Sequence, residues 1–215
     1  MAKLTEEEEL KRQESMREIE RGLVKKGYNR IAGVDEAGRG PLAGPVYAAA
    51  VILPEGARID GINDSKKLSE KKREELFQKI TSIAEDYAIF SVDEKEIDEI
   101  NILNATHKAM NGAVNALKTA PDYVIIDGNS IKGMQIPCET VVKGDAKSIS
   151  IAAASILAKV ARDRYITEMA EKYPQYGFEK HKGYGTKAHT DAILKYGVCP
   201  IHRKTFLKKL LGDKE

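Results

Sequence analysis

Residues 33–46 read Gly-Val-Asp-Glu-Ala-Gly-Arg-Gly-Pro-Leu-Ala-Gly-Pro-Val and hold the densest chemistry in the chain. A strand-like run, Arg30 to Val34, delivers two adjacent carboxylates, Asp35 and Glu36. The turn Gly38-Arg39-Gly40 follows, and a second apolar run, Val46 to Leu53, leads away. Acids at the end of a buried strand need a partner, because an unpaired buried charge costs several kcal/mol. Glycines on both sides let the backbone approach a ligand closely and adopt positive φ. Acids for a metal ion, and bare amides with one arginine for a phosphate or sugar, point to phosphodiester chemistry. A β-hairpin with a polar tip fits the same stretch.

Other acids stand where they could join this pair. Tyr123-Val-Ile-Ile-Asp127 is a short apolar run ending in an acid, the pattern of a buried strand. If it is a parallel neighbour of the first strand, the two lie about 4.8 Å apart and Asp35 and Asp127 stand side by side. Asp145 follows a shorter strand-like run, Glu139 to Lys143, and can reach the same edge. Side chains alternate along a strand, so Asp35 and Glu36 diverge unless the strand ends there, as the glycine turn predicts. Two unit charges 4 Å apart repel by roughly 4 kcal/mol at an effective dielectric of 20. Either some of these acids are protonated or cations neutralise them, and oxygen-only ligands suit Mg²⁺ or Mn²⁺.

The stretch around Asp35 resembles the type 2 ribonucleases H, most closely the bacterial ribonuclease HII family. The resemblance continues in Asp64-Ser65-Lys66-Lys67-Leu68, in Ile126-Asp127-Gly128-Asn129, in Lys143-Gly144-Asp145 with its alanine-rich helix, and in His181-Lys182-Gly183-Tyr184-Gly185-Thr186. It implies a ribonuclease H-like fold, an α/β architecture whose five-stranded mixed sheet runs in the order 3-2-1-4-5. It also implies that Asp35, Glu36, Asp127 and Asp145 ligate two Mn²⁺ or Mg²⁺ ions in an endoribonuclease. The substrates would be RNA–DNA hybrids and duplex DNA carrying single ribonucleotides, cut to leave a 5′-phosphate and a 3′-hydroxyl. Gly38, Arg39 and Gly40 match the family's ribose sensor, and Tyr184 its stacking tyrosine. Lys66, Lys67, Lys143, Ser148 and Lys182 fit phosphate contacts; for each lysine a solvated surface position is the alternative.

The elements that must position these groups are legible in part. Residues 5–26 read as one helix, with a Thr5/Glu8 capping box and Met16, Ile19 and Leu23 as its apolar stripe. Strands are expected at 29–35 and 45–53, with a turn-rich loop from Pro54 to Ser65 between the second and a helix that Ser69 caps. That helix runs to about Glu85 with Leu76, Ile80 and Ile83 inward, and a strand covers Tyr87 to Asp93. A helix over 98–119 presents Leu103, Met110, Val114 and Leu117, and Pro121 stops it. Ser148 opens a long helix to Lys172, whose Ala152-Ala153-Ala154-Ser155 segment can lie close on the sheet. Helices from Thr186 to Gly197 and from Ile201 to Leu211 finish the chain. The expected organisation is a charged N-terminal helix (1–27) and one catalytic domain (28–215), its C-terminal helices from about 174 forming a substrate-binding flap.

Size and composition are consistent with this. The 215 residues suffice for one well-cored domain, with 42% apolar and 32% charged residues and no tryptophan. No run approaches the ~20 apolar residues that span a bilayer, and the acidic, polar N-terminus is no signal peptide. A cytoplasmic monomer with no membrane contact and reduced Cys138 and Cys199 is expected. From Lys143 onward the chain carries 15 Lys+Arg against 8 Asp+Glu, so its last third is basic and the rest acidic. That balance suits a metal site beside a phosphate-binding surface. His107, His181, His189 and His202 show no metal-ligand spacing and no zinc site. No replication-clamp peptide is evident in Leu210 to Glu215.

Two other readings compete. The sister type, ribonuclease HIII, carries a sizeable N-terminal binding domain, for which residues 1–27 are too short. A nucleic-acid-binding protein on the same fold, with catalysis lost, is disfavoured because all four acids are present.

Overall fold

The computed structural model describes residues 5–212. The C-terminal residues Asp213 to Glu215, part of the peptide read above for a clamp contact, lie outside them, as do residues 1–4. The chain begins with α1 (Glu6–Ser15) and α2 (Glu18–Val24), then β1 (Ile31–Ala37) and β2 (Val46–Ile52). There follow α3 (Glu70–Ile83), β3 (Asp86–Val92), α4 (Glu94–Asn115), β4 (Tyr123–Asp127) and β5 (Cys138–Val141). The long α5 (Ile149–Lys172) leads to α6 (Phe178–His181), α7 (Lys187–Tyr196) and α8 (Lys204–Leu211).

The sheet order is β3-β2-β1-β4-β5, the order that the resemblance implies. β1 pairs antiparallel with β2 and parallel with β4, so the C-terminal ends of β1 and β4 share one edge. Alternation along the strands builds a core on each face. Ala32, Val34, Ala48 and Ala50 face α4 with Met110 and Val114. Ala49 and Val51 face α3 and α5 with Leu76, Ile80 and Ala152 to Ala154. A third core joins the C-terminal half of α5 to α6, α7 and α8 through Ile166, Phe178, Ile193 and Leu207. Among the described residues no helix is long and apolar enough to cross a membrane, and both cysteines are free.

Helix caps fall where the sequence places them. Thr5 and Glu8 close a reciprocal box, and the Ser69, Ser148 and Thr186 hydroxyls accept the N–H of Lys72, Ile151 and His189. Three expectations fail. The helix expected over 5–26 is two helices, because Arg17 leaves helical geometry (φ −107, ψ 3) and the Met16 carbonyl accepts the N–H of Ile149 from α5 at 2.9 Å. The helix expected from residue 98 starts at Glu94 under an Asp93 cap and kinks at Asn101 (φ 65, ψ 162). The Asn101 carboxamide then caps Leu103 and Asn104, which leaves Leu103 exposed rather than in the core. Finally, β1 does not end at its acids: Asp35 and Glu36 pair with Ala49 and Ala48, and the strand runs to Ala37.

The approach of α5 to β1 fixes the rest. A Cβ on Gly33 would stand 2.2 Å from the Ser150 carbonyl carbon, so helix and strand meet backbone to backbone. Gly33→Ala is therefore expected to cost about 3 kcal/mol, the upper end for overpacking a core, because backbone cannot rotate aside. Urea unfolding checks this; a loss under about 0.5 kcal/mol, typical of surface changes, would contradict the close contact.

Candidate active site

The edge shared by β1 and β4 holds Asp35, Glu36 and Asp127, and Asp145 stands in the turn that follows β5. Asp35 is buried, Glu36, Asp127 and Asp145 half-buried. By alternation Asp35 points to the α5 face and Glu36 to the α4 face. They still border one cavity of about 160 Å³. The parallel pairing with β4 ends at Val34–Ile126, so both faces open onto a common edge. Gly38, Arg39, Gly40, Lys66 and Tyr184 line the same cavity, with Ser65, Ser155, Lys159 and Arg162. A larger cleft of about 470 Å³ between α2 and the loop after β2 holds none of the sequence candidates.

Burial raises the Asp35 carboxyl well above its ordinary range, and the charges of Glu36 and Asp127 add to it. Asp35 Oδ1 accepts the Glu36 N–H at 2.7 Å, which offsets the effect only in part. Burial also raises Glu36, against the pull of Arg39, whose Nη1 lies 3.5 Å away. Asp145 is raised by burial, then by Asp64 and Asp127. For Lys66, burial pulls the ammonium down, but Asp35, Asp64, Asp145 and Glu36 outweigh it and the net shift is upward. Asp35, Glu36 and Asp145 are therefore each raised by burial and by the charge of neighbouring carboxylates. Among the described residues no three carboxylates, imidazoles or thiols close round a single point. The acids' oxygens take N–H donors instead: Asp127 Oδ1 accepts Gly144 N–H at 2.6 Å.

Two buried arginines that sequence reasoning missed hold the glycine turn and the loop that follows it. Arg203, fully buried, donates Nη2 to Gly38 O (2.6 Å), Nη1 to Arg39 O (2.9 Å), and Nε and Nη2 to Gly44 O. Arg162 donates to the carbonyls of Pro45, Ala43 and Lys182. Burial and the neighbouring Arg162 pull Arg203 down to about 9. All peptides here are trans, so the Arg39 and Gly40 N–H groups point away from the Arg203 guanidinium that holds the Gly38 and Arg39 carbonyls. Gly38 has φ +100 and lies against Arg162, where a Cβ would stand 2.1 Å from Nε. The Tyr184 ring faces Gly40.

Not every candidate reaches the cavity. Ser148 does not: it is fully buried, its hydroxyl donates to Glu20 Oε1 at 2.6 Å and accepts Ile151 N–H, so it caps α5 and holds α2. The Lys182 ammonium is occupied by Thr167 Oγ1 at 3.3 Å and Glu70 at 3.7 Å. Lys67 and Lys143 are exposed beside the acids' loops. Asp64, close to Asp145 and inside a motif already singled out, could have been found. Arg162 left a fainter trace: it shares a helical face with Ser155, Ala158 and Ile166, all buried.

A mixed sheet in this order, with carboxylates on the adjoining ends of β1 and β4 beside a clamped glycine turn, defines a metal-dependent polynucleotide nuclease of the ribonuclease H-like fold. The family model described as Ribonuclease HII matches residues 32–209. Ribonuclease HII of Acetivibrio thermocellus is 58% identical over 209 residues, covering 97% of this chain and 82% of that protein. The ribonuclease H2 structure from Pyrococcus horikoshii superposes with a TM-score of 0.71 at 32% identity, over 85% of this chain and 97% of that one. The ribonuclease HII of Archaeoglobus fulgidus, solved in a complex with PCNA, gives 0.71 at 26% identity, over 86% and 98%. The chain belongs to the ribonuclease HII family and is a divalent-metal-dependent endoribonuclease acting on RNA–DNA hybrids.

Because folding raises the pKa values of Asp35, Glu36 and Asp145, the ion-free protein loses stability as pH climbs from the ordinary carboxylate range through the raised values. Asp35→Asn removes the most buried of these charges. Without divalent ion it is expected to raise Tm by roughly 2–4 °C, the shift that about 1 kcal/mol gives in a chain of this size, while cleavage is lost. Mn²⁺ should then raise the wild-type Tm and leave the variant nearly unchanged. Equal gains in parallel melts would remove Asp35 from the ligand set.

Proposed function

We propose that the enzyme recognises a single ribonucleotide embedded in duplex DNA and cuts on its 5′ side, in addition to cutting the RNA strand of long hybrids. The products carry a 5′-phosphate on the ribonucleotide-bearing fragment and a 3′-hydroxyl, and the role is ribonucleotide removal from DNA. The observation that carries this reading is the clamped Gly38-Arg39-Gly40 turn, which shares one small cavity with the Tyr184 ring, Asp35 and Glu36.

Asp35, Glu36, Asp127 and Asp145 would hold two Mg²⁺ or Mn²⁺ ions, which when bound activate water and stabilise the leaving 3′-oxygen. The chain's own groups do the reading. The N–H groups of Arg39 and Gly40 meet the 2′-hydroxyl and its phosphate, the hydroxyl being what tells RNA from DNA at one position. The Tyr184 ring, half exposed, packs on the next sugar and favours deoxyribose, since an added hydroxyl crowds that contact. Lys66, poised among the carboxylates, and the exposed Lys67 and Lys143 supply positive charge for the backbone. Lys182 contributes only if substrate draws it from Glu70. The PCNA complex of the Archaeoglobus fulgidus relative supports a replication clamp as a partner here too.

Cleavage mapping on two duplexes tests this, one with a single ribonucleotide and one with a long RNA strand. Wild type should cut both, and the first on the 5′ side of the ribonucleotide. Tyr184→Ala should lose roughly ten- to a hundredfold on the single ribonucleotide, as a misplaced scissile phosphate does, and less on the long hybrid. Equal losses would make Tyr184 a general contact. A wild type that ignores the single ribonucleotide would sink the junction reading.

A further inference from the structure

Behind Tyr184 lies a buried chain of imidazoles that the cleavage chemistry does not use. His189 and His202 are 0% and 3% exposed, and their Nε2 atoms stand 3.1 Å apart. The hydrogen bonds around them leave one proton arrangement. The backbone N–H of Cys199 donates to His202 Nδ1 at 2.9 Å, so that nitrogen carries no proton. A neutral His202 then bears its proton on Nε2 and donates it to His189 Nε2. His189 in turn bears its proton on Nδ1, which donates to the Tyr184 carbonyl at 2.9 Å. The chain thus runs one way, from the Cys199 amide through two rings to Tyr184. His181 stacks on His189 at 4.5 Å between centroids and, through Nδ1, accepts the Gly183 N–H, fixing the residue before.

The neighbour of His202 is Arg203, which holds the carbonyls of Gly38 and Arg39. One two-residue segment therefore references both readers of the substrate: Arg203 the glycine turn, His202 the tyrosine. We propose that His189 and His202 are positioning residues that set where Tyr184 stands relative to the turn, and thereby set the preference for a ribonucleotide–deoxyribonucleotide junction. The inference rests on the junction reading above and assigns that preference to groups that never touch substrate.

The test uses the full chain with Mn²⁺ and the two duplexes, the readout being the ratio of cleavage rates on the single ribonucleotide and the long hybrid. His202→Asn keeps an acceptor where Nδ1 stood but cannot reach His189, whereas His202→Gln keeps a donor near the Nε2 position. The Asn variant should lose about tenfold in the ratio, within the range that a displaced positioning group costs, and the Gln variant should retain most of it. In a Tyr184→Ala background His202→Asn should change the ratio no further, because its effect passes through the ring. Equal ratios for wild type and Asn, equal losses for Asn and Gln, or an undiminished effect without the ring would each overturn the proposal. Should His202→Asn not fold, His189→Leu, which cannot donate to the Tyr184 carbonyl, must lose the preference, and its retention would overturn the proposal equally. A wild type without single-ribonucleotide cleavage is a different result, since it removes the junction reading itself.

Discussion

The backbone contact between α5 and β1 at Gly33 is the constraint on which the site depends. It brings the N-terminal half of α5 against the sheet, so that Ser155 borders the same cavity as Asp35 and meets Ser65 at 2.8 Å. One and two turns further on, the same helix delivers Lys159 and Arg162 to the cavity wall. Its first N–H is spent on Met16, and its cap residue on Glu20, so the N-terminal helices are tied to the same rod. A helix held this closely cannot shift without moving an acid, a buried cation and the N-terminal pair together.

Cations stand in two settings around the site: Arg39 and Lys66 among the carboxylates, and two buried arginines on backbone carbonyls. Carboxylates gather at the sheet edge, where burial and mutual repulsion raise their pKa values. Close by, Arg162 and Arg203 are buried with carbonyl oxygens as their hydrogen-bond acceptors. Burying a guanidinium is costly unless its donors are satisfied, and seven hydrogen bonds from the two side chains satisfy them. Two of them, from Arg203 to the Gly38 and Arg39 carbonyls, also fix the peptide planes of the glycine turn. The expense of desolvating Arg203 is thus tied to the orientation of the Arg39 and Gly40 N–H groups, the preorganisation on which recognition relies.

The reading surface is assembled from segments far apart in the chain. The loop after β1 is joined to the loop before α7 through Leu42 N–H to Gly183 O at 2.8 Å, and to the segment before α8 through Gly44 N–H to Ile201 O and Arg203 N–H to Leu42 O. Gly183 permits this: its φ is +84, and a Cβ would stand 2.7 Å from the Ala43 carbonyl oxygen. The C-terminal helices, anchored by their own core, therefore belong to the site as much as the sheet does.

What the sequence determined by itself was local or periodic. The Asp35-Glu36 pair, Asp127 at the end of an apolar run, the caps at Thr5, Ser69, Ser148 and Thr186, and the sequence of strands and helices are all written within a few residues, because alternation, helical spacing and capping act over that range. Tertiary structure decided the remainder. Residues 5–26 are a single amphipathic pattern, yet the helix breaks where Met16 meets a residue 133 positions away in sequence. Ser148 carries the same hydroxyl whether it faces a phosphate or Glu20, and only the packing of α2 chose the latter. Asp35 and Glu36 alternate as a strand requires and still share a cavity, because the neighbouring strand pairs no further than Val34. Arg162 and Arg203 left the least trace for a simple reason. Their partners are backbone carbonyls, which every residue possesses, so nothing in the side-chain sequence distinguishes the acceptors until the loop is folded onto them.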